Sequence, residues 1–97
     1  MKFAIYAQNY KPNYKEIIEK LVRALKTHNA KVIFEKEFYK LLVENNVLNS
    51  EYDTFSSHTD IDDDTKFFVS IGGDGTLLRA ANFVKSKNIP IIGVNAG

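Results

Sequence analysis

The sequence predicts an α/β fold: a three-layer, Rossmann-like domain with a mostly parallel sheet of about four strands and helices on both faces. Two observations carry this. Short runs of aromatic and β-branched residues alternate with amphipathic stretches of helical period, in the order strand–helix–strand–helix–strand–helix–strand. The later strands are almost wholly apolar, as expected of strands covered on both faces. A chain of 97 residues holds one such domain.

Lys2 to Ala7 opens the chain as a strand. Asn9 to Asn13, with Pro12 inside, is a loop. Asn13 and Glu16 have the spacing of a capping box, so a helix is expected to start there. Ile17, Ile18, Leu21, Val22 and Leu25 form its apolar stripe. His28-Asn29 ends it, because Asn tolerates the left-handed conformation. Lys31 to Glu35 is a second strand. Phe38 to Leu48 is a second helix, carried by Leu41, Leu42 and Leu48. Asn49 to Thr65 is polar and aperiodic and reads as a long loop. Lys66 to Ile71 is a third strand, and the helix after it shows a stripe of Leu77, Ala80, Ala81 and Val84. Lys85 and Lys87 suit its last turn, and Asn88 and Pro90 stop it. Ile91 to Val94 is a fourth strand of buried type.

Composition excludes several classes of function. Thirteen Lys+Arg against 12 Asp+Glu give a net charge of +1, which argues against a nucleic-acid binder. The absence of cysteine removes disulfides, thiolate metal sites and thiol nucleophiles, and agrees with a cytoplasmic protein. Charges interrupt each apolar run well short of the ~18 residues of a membrane span. The first apolar run meets Gln8 too soon for a signal peptide.

The chemistry lies in Ile71-Gly72-Gly73-Asp74-Gly75-Thr76-Leu77-Leu78-Arg79-Ala80-Ala81. Three glycines in four positions join a buried strand to an amphipathic helix. Glycine lets main-chain N–H groups approach a ligand and accepts positive φ. A helix start adds unpaired N–H groups and partial positive charge, which suits phosphate. A tight turn with no ligand is the plainer alternative. The stretch is not a P-loop, because no Lys stands at the required place, and Leu78 replaces the last glycine of a dinucleotide fingerprint. Asp74 is the informative residue. A carboxylate repels phosphate, so its presence makes sense if it faces a hydroxyl or a cation bound to the phosphates. An ionised Asp is a weak base. Phosphoryl transfer through a loose transition state needs little early proton removal, so orienting a hydroxyl and taking its proton late is enough. The plainer role for Asp74 is a helix cap.

Gly72 to Ala81, followed by Ile89-Pro90-Ile91-Ile92-Gly93-Val94-Asn95-Ala96-Gly97, resembles the NAD kinase family. The Gly-Gly-Asp-Gly-Thr signature alone is shared with diacylglycerol and sphingosine kinases, and in a close variant with 6-phosphofructokinase. The flanks discriminate. Leu-Leu-Arg-Ala-Ala and Gly93-x-Asn95-x-Gly97 are the NAD kinase pattern, whereas the Asn-Glu and Gly-Thr-x-Asn-Asp runs of lipid kinases do not occur. The strong resemblance covers about a third of the chain. It implies phosphorylation of the adenosine-ribose 2′-hydroxyl of NAD by ATP with a divalent metal, and no membrane or nucleic-acid partner. A lipid kinase is the alternative. By the same resemblance Asp74 is the proton acceptor. Asp74, Gly75 and Arg79 contact NAD, and Gly72, Gly73, Gly75 and Thr76 form the phosphate loop. Asn95 lies on the ligand edge without an assigned role, and no metal ligand is assigned. It implies further that residues 1–97 are the N-terminal domain of a homo-oligomeric enzyme whose β-rich C-terminal domain is missing from this chain. The fragment alone is then inactive.

Other clusters carry plainer readings. Asp60, Asp62, Asp63 and Asp64 read as a solvated acidic loop, since the EF-hand pattern is absent. His28 and His58 read as a helix end and a loop residue. Phe34, Phe38, Tyr39, Phe67 and Phe68 read as core, and Lys66, Lys85 and Lys87 as surface charge.

Overall fold

A computed structural model of the chain describes residues 1–96. Five strands form one parallel sheet: β1 (Lys2–Ala7), β2 (Lys31–Glu35), β3 (Asp53–Phe55), β4 (Thr65–Gly72) and β5 (Ile91–Asn95), in the order β3-β2-β1-β4-β5. The helices are α1 (Tyr14–Thr27), α2 (Lys36–Glu44) and α3 (Asp74–Ala80). The α/β class, parallel pairing and helices on both faces are as the sequence predicts.

The sheet separates two cores. On one face α1 and α2 pack Tyr14, Ile18, Val22, Leu25, Phe38 and Leu42 against Ile5, Phe34, Val69 and Ile71. On the other, Ala80 and Val84 pack with Ala4, Tyr6, Ile33, Phe55 and Phe68. Alternate residues of β1 therefore serve opposite cores, as the strand period of two requires. The sequence-predicted aromatic cluster divides between them: Phe34 and Phe38 lie in the first, Phe68 in the second, and Phe67 stacks on Phe3 at 5.2 Å.

Several details differ from expectation, each for a physical reason. The long loop 49–65 contains β3 and a short 3₁₀ turn at His58–Asp60, so the sheet has five strands rather than about four. A strand of three residues with only Phe55 buried is too short to show alternation. Asn13 does not cap α1 with its side chain. It is itself in the helical region, its Nδ2 donates to the Ala96 carbonyl at 3.4 Å, and Glu16 pairs with Lys20. Helix α2 starts earlier than expected because Glu35, the last residue of β2, accepts from the Glu37 and Phe38 amides and so caps it. Asn46, at φ 56°, follows its end.

Helix α3 ends at Ala80 rather than near Lys87. Residues 81–87 continue as tight turns, with Phe83 N–H to Ala80 O and Val84 N–H to Ala81 O bonds. This brings both Phe83 and Val84 to the sheet, where the Phe83 ring lies 5.1 Å from Tyr6, 5.4 Å from Phe55 and 5.5 Å from Phe68. Lys85 and Lys87 are therefore outside the helix. Strand β5 is not of buried type either. It is an edge strand, with Ile92 exposed. His28 follows α1, whose end is marked by Asn29 at φ 57°, as the sequence suggests.

The acidic segment is internally bonded. Asp60 accepts from the Ser56 and Ser57 amides, which hold its carboxyl below the usual range. Asp62 accepts from Lys2 Nζ at 2.6 Å, from the Asp64 amide and from Thr65 Oγ1.

Candidate functional site

Successive connections from β1 through β2 to β3 move to one side of the sheet, and β4 then returns to the other side of β1. The order reverses between β1 and β4. In an open parallel sheet ligands bind at such a switch point, outside the carboxyl ends of the strands. The segments that emerge there are Gln8 to Asn13 after β1 and Gly73 to Thr76 after β4.

The three glycines of the turn are bare for different reasons. Gly72 has φ +146°, and a Cβ there would stand 2.6 Å from Thr76 Oγ1, so the fold itself demands glycine. Gly73, the residue before α3, has φ −112° and ψ −160°, and a Cβ on it would meet nothing within 4 Å. Gly75 lies inside α3, and its nearest neighbour would be Gln8 Oε1 at 3.9 Å. Neither of these two is required by internal packing. Their missing side chains leave open space against the main chain.

Asp74 is the first residue of α3, with Gly73 in the cap position, so the plain cap role does not apply. Its side chain is exposed. Two hollows flank the turn. One, of about 150 Å³, is lined by Ser70, Gly72, Gly73, Asp74, Leu77 and Asn95 among others. The second, of about 320 Å³, is lined by Gln8, Asn9, Lys11, Gly73, Gly75 and Thr76 among others. The acid thus faces one hollow and a lysine the other, with Gly72 and Gly73 shared between them. Asn95 stands opposite Gly72 in the β4–β5 register, which places it beside Asp74.

Thr76 turns inward and is buried. Its hydroxyl donates to Gln8 Oε1 at 2.8 Å. Arg79 is exposed one turn further along α3 and lines neither hollow. Its charge nevertheless reaches Tyr6. Burial raises the Tyr6 phenol above its ordinary range, Glu35 adds to this, and Arg79 opposes it. Gly97, the last residue of the Gly-x-Asn-x-Gly pattern, lies outside the described residues. Gln8 was not singled out by the sequence. Its position just after a strand, on the ligand edge, was the available signal. Another hollow of about 320 Å³ lies between α1 and residues 47–52 and shares no lining residue with the glycine turn, so it carries none of this chemistry.

Residues 3–97 match the family model described as the ATP-NAD kinase N-terminal domain. An NAD kinase of Flavobacterium psychrophilum is 41% identical over 97 residues, covering all of this chain and 33% of the relative. The NAD kinase of Flavobacterium johnsoniae is 38% identical and that of Bacteroides fragilis 37%, with the same coverage. The chain therefore spans about a third of the length of the curated relatives it matches. The crystal structure of yeast NADH kinase complexed with NADH has the same fold, with a TM-score of 0.73 at 18% identity over 100% of this chain and 31% of that one. The lipid-kinase alternative finds no support in these matches. With its glycine turn at the switch point and its whole length aligned, the chain belongs to the ATP-NAD kinase family and matches that family's N-terminal domain.

Proposed function

We propose that this chain is the N-terminal nucleotide-binding domain of an enzyme that transfers the γ-phosphoryl group of ATP to the adenosine-ribose 2′-hydroxyl of NAD. The products are NADP and ADP. The observation that carries this reading is the bare main chain at Gly73 and Gly75, open where the fold does not need it open, on either side of an exposed Asp74.

The roles divide by charge. The hollow beside Lys11 and Gln8 suits the donor's phosphates, because the lysine attracts them and the glycine amides stand unobstructed. The hollow beside Asp74 and Asn95 suits the sugar hydroxyl. As the 2′-oxygen bonds to phosphorus and the bond to ADP breaks, the hydroxyl proton passes to the Asp74 carboxylate. Gly75 lets NAD approach α3, and Arg79 contacts NAD from the same helix. Thr76 and Gly72 shape the turn from inside.

A divalent cation supplies neutralisation of the phosphate charge when bound. Among the described residues no three His, Cys, Asp or Glu converge, so the chain's own side chains do not build a separate cage. Asp74 is the carboxylate on the turn that could add a ligand to a cation held by the triphosphate. The remaining two thirds of a relative's length would supply the rest of the dinucleotide pocket, so residues 1–97 alone are inactive. A cytoplasmic, homo-oligomeric full-length enzyme completes the proposal.

The test is direct. The full-length protein, given ATP, magnesium and NAD, should form NADP, and residues 1–97 alone should not. Absence of NADP from the full-length protein, or robust turnover by the fragment, contradicts the reading.

A further inference from the structure

Gln8 stands at the carboxyl end of β1, on the opposite wall of the switch point from the glycine turn. Its side chain crosses over the first turn of α3, passes Gly75 with Oε1 3.9 Å from where a Cβ would be, and accepts from Thr76 Oγ1 at 2.8 Å. The two residues are 68 positions apart. Helix α3 has only seven residues, and those it buries are Thr76 and Ala80. Thr76 is therefore the buried hold on the turn that carries Asp74. Its hydroxyl has little access to water, so its hydrogen bond has no ready replacement.

We propose that Gln8 is a positioning residue for phosphoryl transfer: it fixes Asp74 by holding Thr76 across the β1–β4 switch point. The inference rests on the kinase reading above. Gly72 has no Cβ, so Thr76 packs directly against the turn. Gln8 then closes the sequence Gly72–Thr76–Gln8 from the far wall. A second bond from the same loop, Asn13 Nδ2 to Ala96 O, reaches the segment that follows Asn95. The loop after β1 is thus tied to the helix that carries Asp74 and to the residue that follows β5. Displacement of a reacting group by about 1 Å can cost on the order of a hundredfold in rate. A tether that limits drift of Asp74 should therefore act on turnover rather than on ground-state affinity.

The experiment uses the full-length protein with Gln8→Leu, Gln8→Glu, Thr76→Val and the Gln8→Leu/Thr76→Val double variant. Gln8 is exposed, so these changes at position 8 leave the core intact. Turnover is measured at saturating ATP and NAD, together with KM for each and the thermal midpoint. Gln8→Leu should lower kcat on the order of tenfold, with a smaller change in KM for NAD. Gln8→Glu should recover most of kcat at saturating ATP, because its carboxylate accepts from the same hydroxyl, while KM for ATP rises because that carboxylate repels phosphate in the hollow it lines. The double variant should be no worse than the poorer single, as two halves of one contact require. Unchanged kcat in Gln8→Leu, failure of Gln8→Glu to recover, or additive losses would each overturn the inference while leaving the kinase reading in place. A wild-type protein that makes no NADP overturns both.

Discussion

Gly72 faces the Thr76 hydroxyl so closely that a Cβ on it would stand 2.6 Å from Oγ1. Its φ of +146° adds backbone strain for any other residue. Gly72→Ala should therefore destabilise the full-length protein by roughly 1–3 kcal/mol. The cost comes from the strained dihedral and from the forced shift of a buried threonine. Urea or thermal unfolding measures it. A wild-type midpoint would contradict the close approach.

Gly75 should behave in the opposite way. A Cβ there meets only Gln8 Oε1, at 3.9 Å, and the residue is helical. Gly75→Ala should leave stability unchanged or raise it by about 0.5–1 kcal/mol through helix propensity. The same methyl enters the space assigned to nucleotide, so KM should rise. Stability maintained with weakened binding separates a ligand cradle from a structural turn. Unaltered KM would mean that the open space is not used.

Glu35 joins the end of β2 to the start of α2. Its Oε2 accepts from the Glu37 amide at 3.0 Å and its Oε1 from the Phe38 amide at 2.9 Å. Glu35→Ala removes the cap and should cost about 0.5–2 kcal/mol. Glu35→Gln keeps a carbonyl acceptor and should cost less. Equal losses in the two variants would show that the carboxylate packs rather than caps.

The Lys2–Asp62 pair predicts a pH dependence. The hydrogen bond from Lys2 comes first among the causes that hold the Asp62 carboxyl below its usual range. A depressed carboxyl contributes stability above its unfolded-state value, and loses it as pH falls through the folded-state value. Asp62→Asn should flatten the fall in thermal midpoint below about pH 4. The carboxylate is half-exposed, so the effect should be small and reduced by salt. Parallel acid profiles for wild type and variant would remove Asp62 from the account.

The sheet, its parallel sense and the glycine turn were legible because each leaves a long or specific trace. Lys66 to Ile71 is an unbroken strand signal, and three glycines beside an acid have few structural meanings. Strand β3 was not legible, since three residues with one buried Phe carry no period. The early end of α3 was hidden because Val84 fits a helical stripe as well as it fits the tight turn that seats Phe83 among Tyr6, Phe55 and Phe68. The exposure of β5 followed from its place at the sheet edge, which periodicity does not encode. Asp74, Gly73, Gly75 and Asn95 were named from sequence, and the fold brings them to one edge. Gln8 was not, because a contact across 68 residues exists only once β1 and β4 lie side by side.

The role of Asp74 is tested most directly by one comparison in the full-length protein: wild type against Asp74→Asn, with NADP formation and NAD affinity measured on the same samples. The account predicts a loss of turnover on the order of 10²–10⁴, with NAD affinity within a few-fold of wild type, because the amide keeps the shape but cannot take the proton. Turnover within a few-fold of wild type, or turnover and affinity lost together, would contradict it.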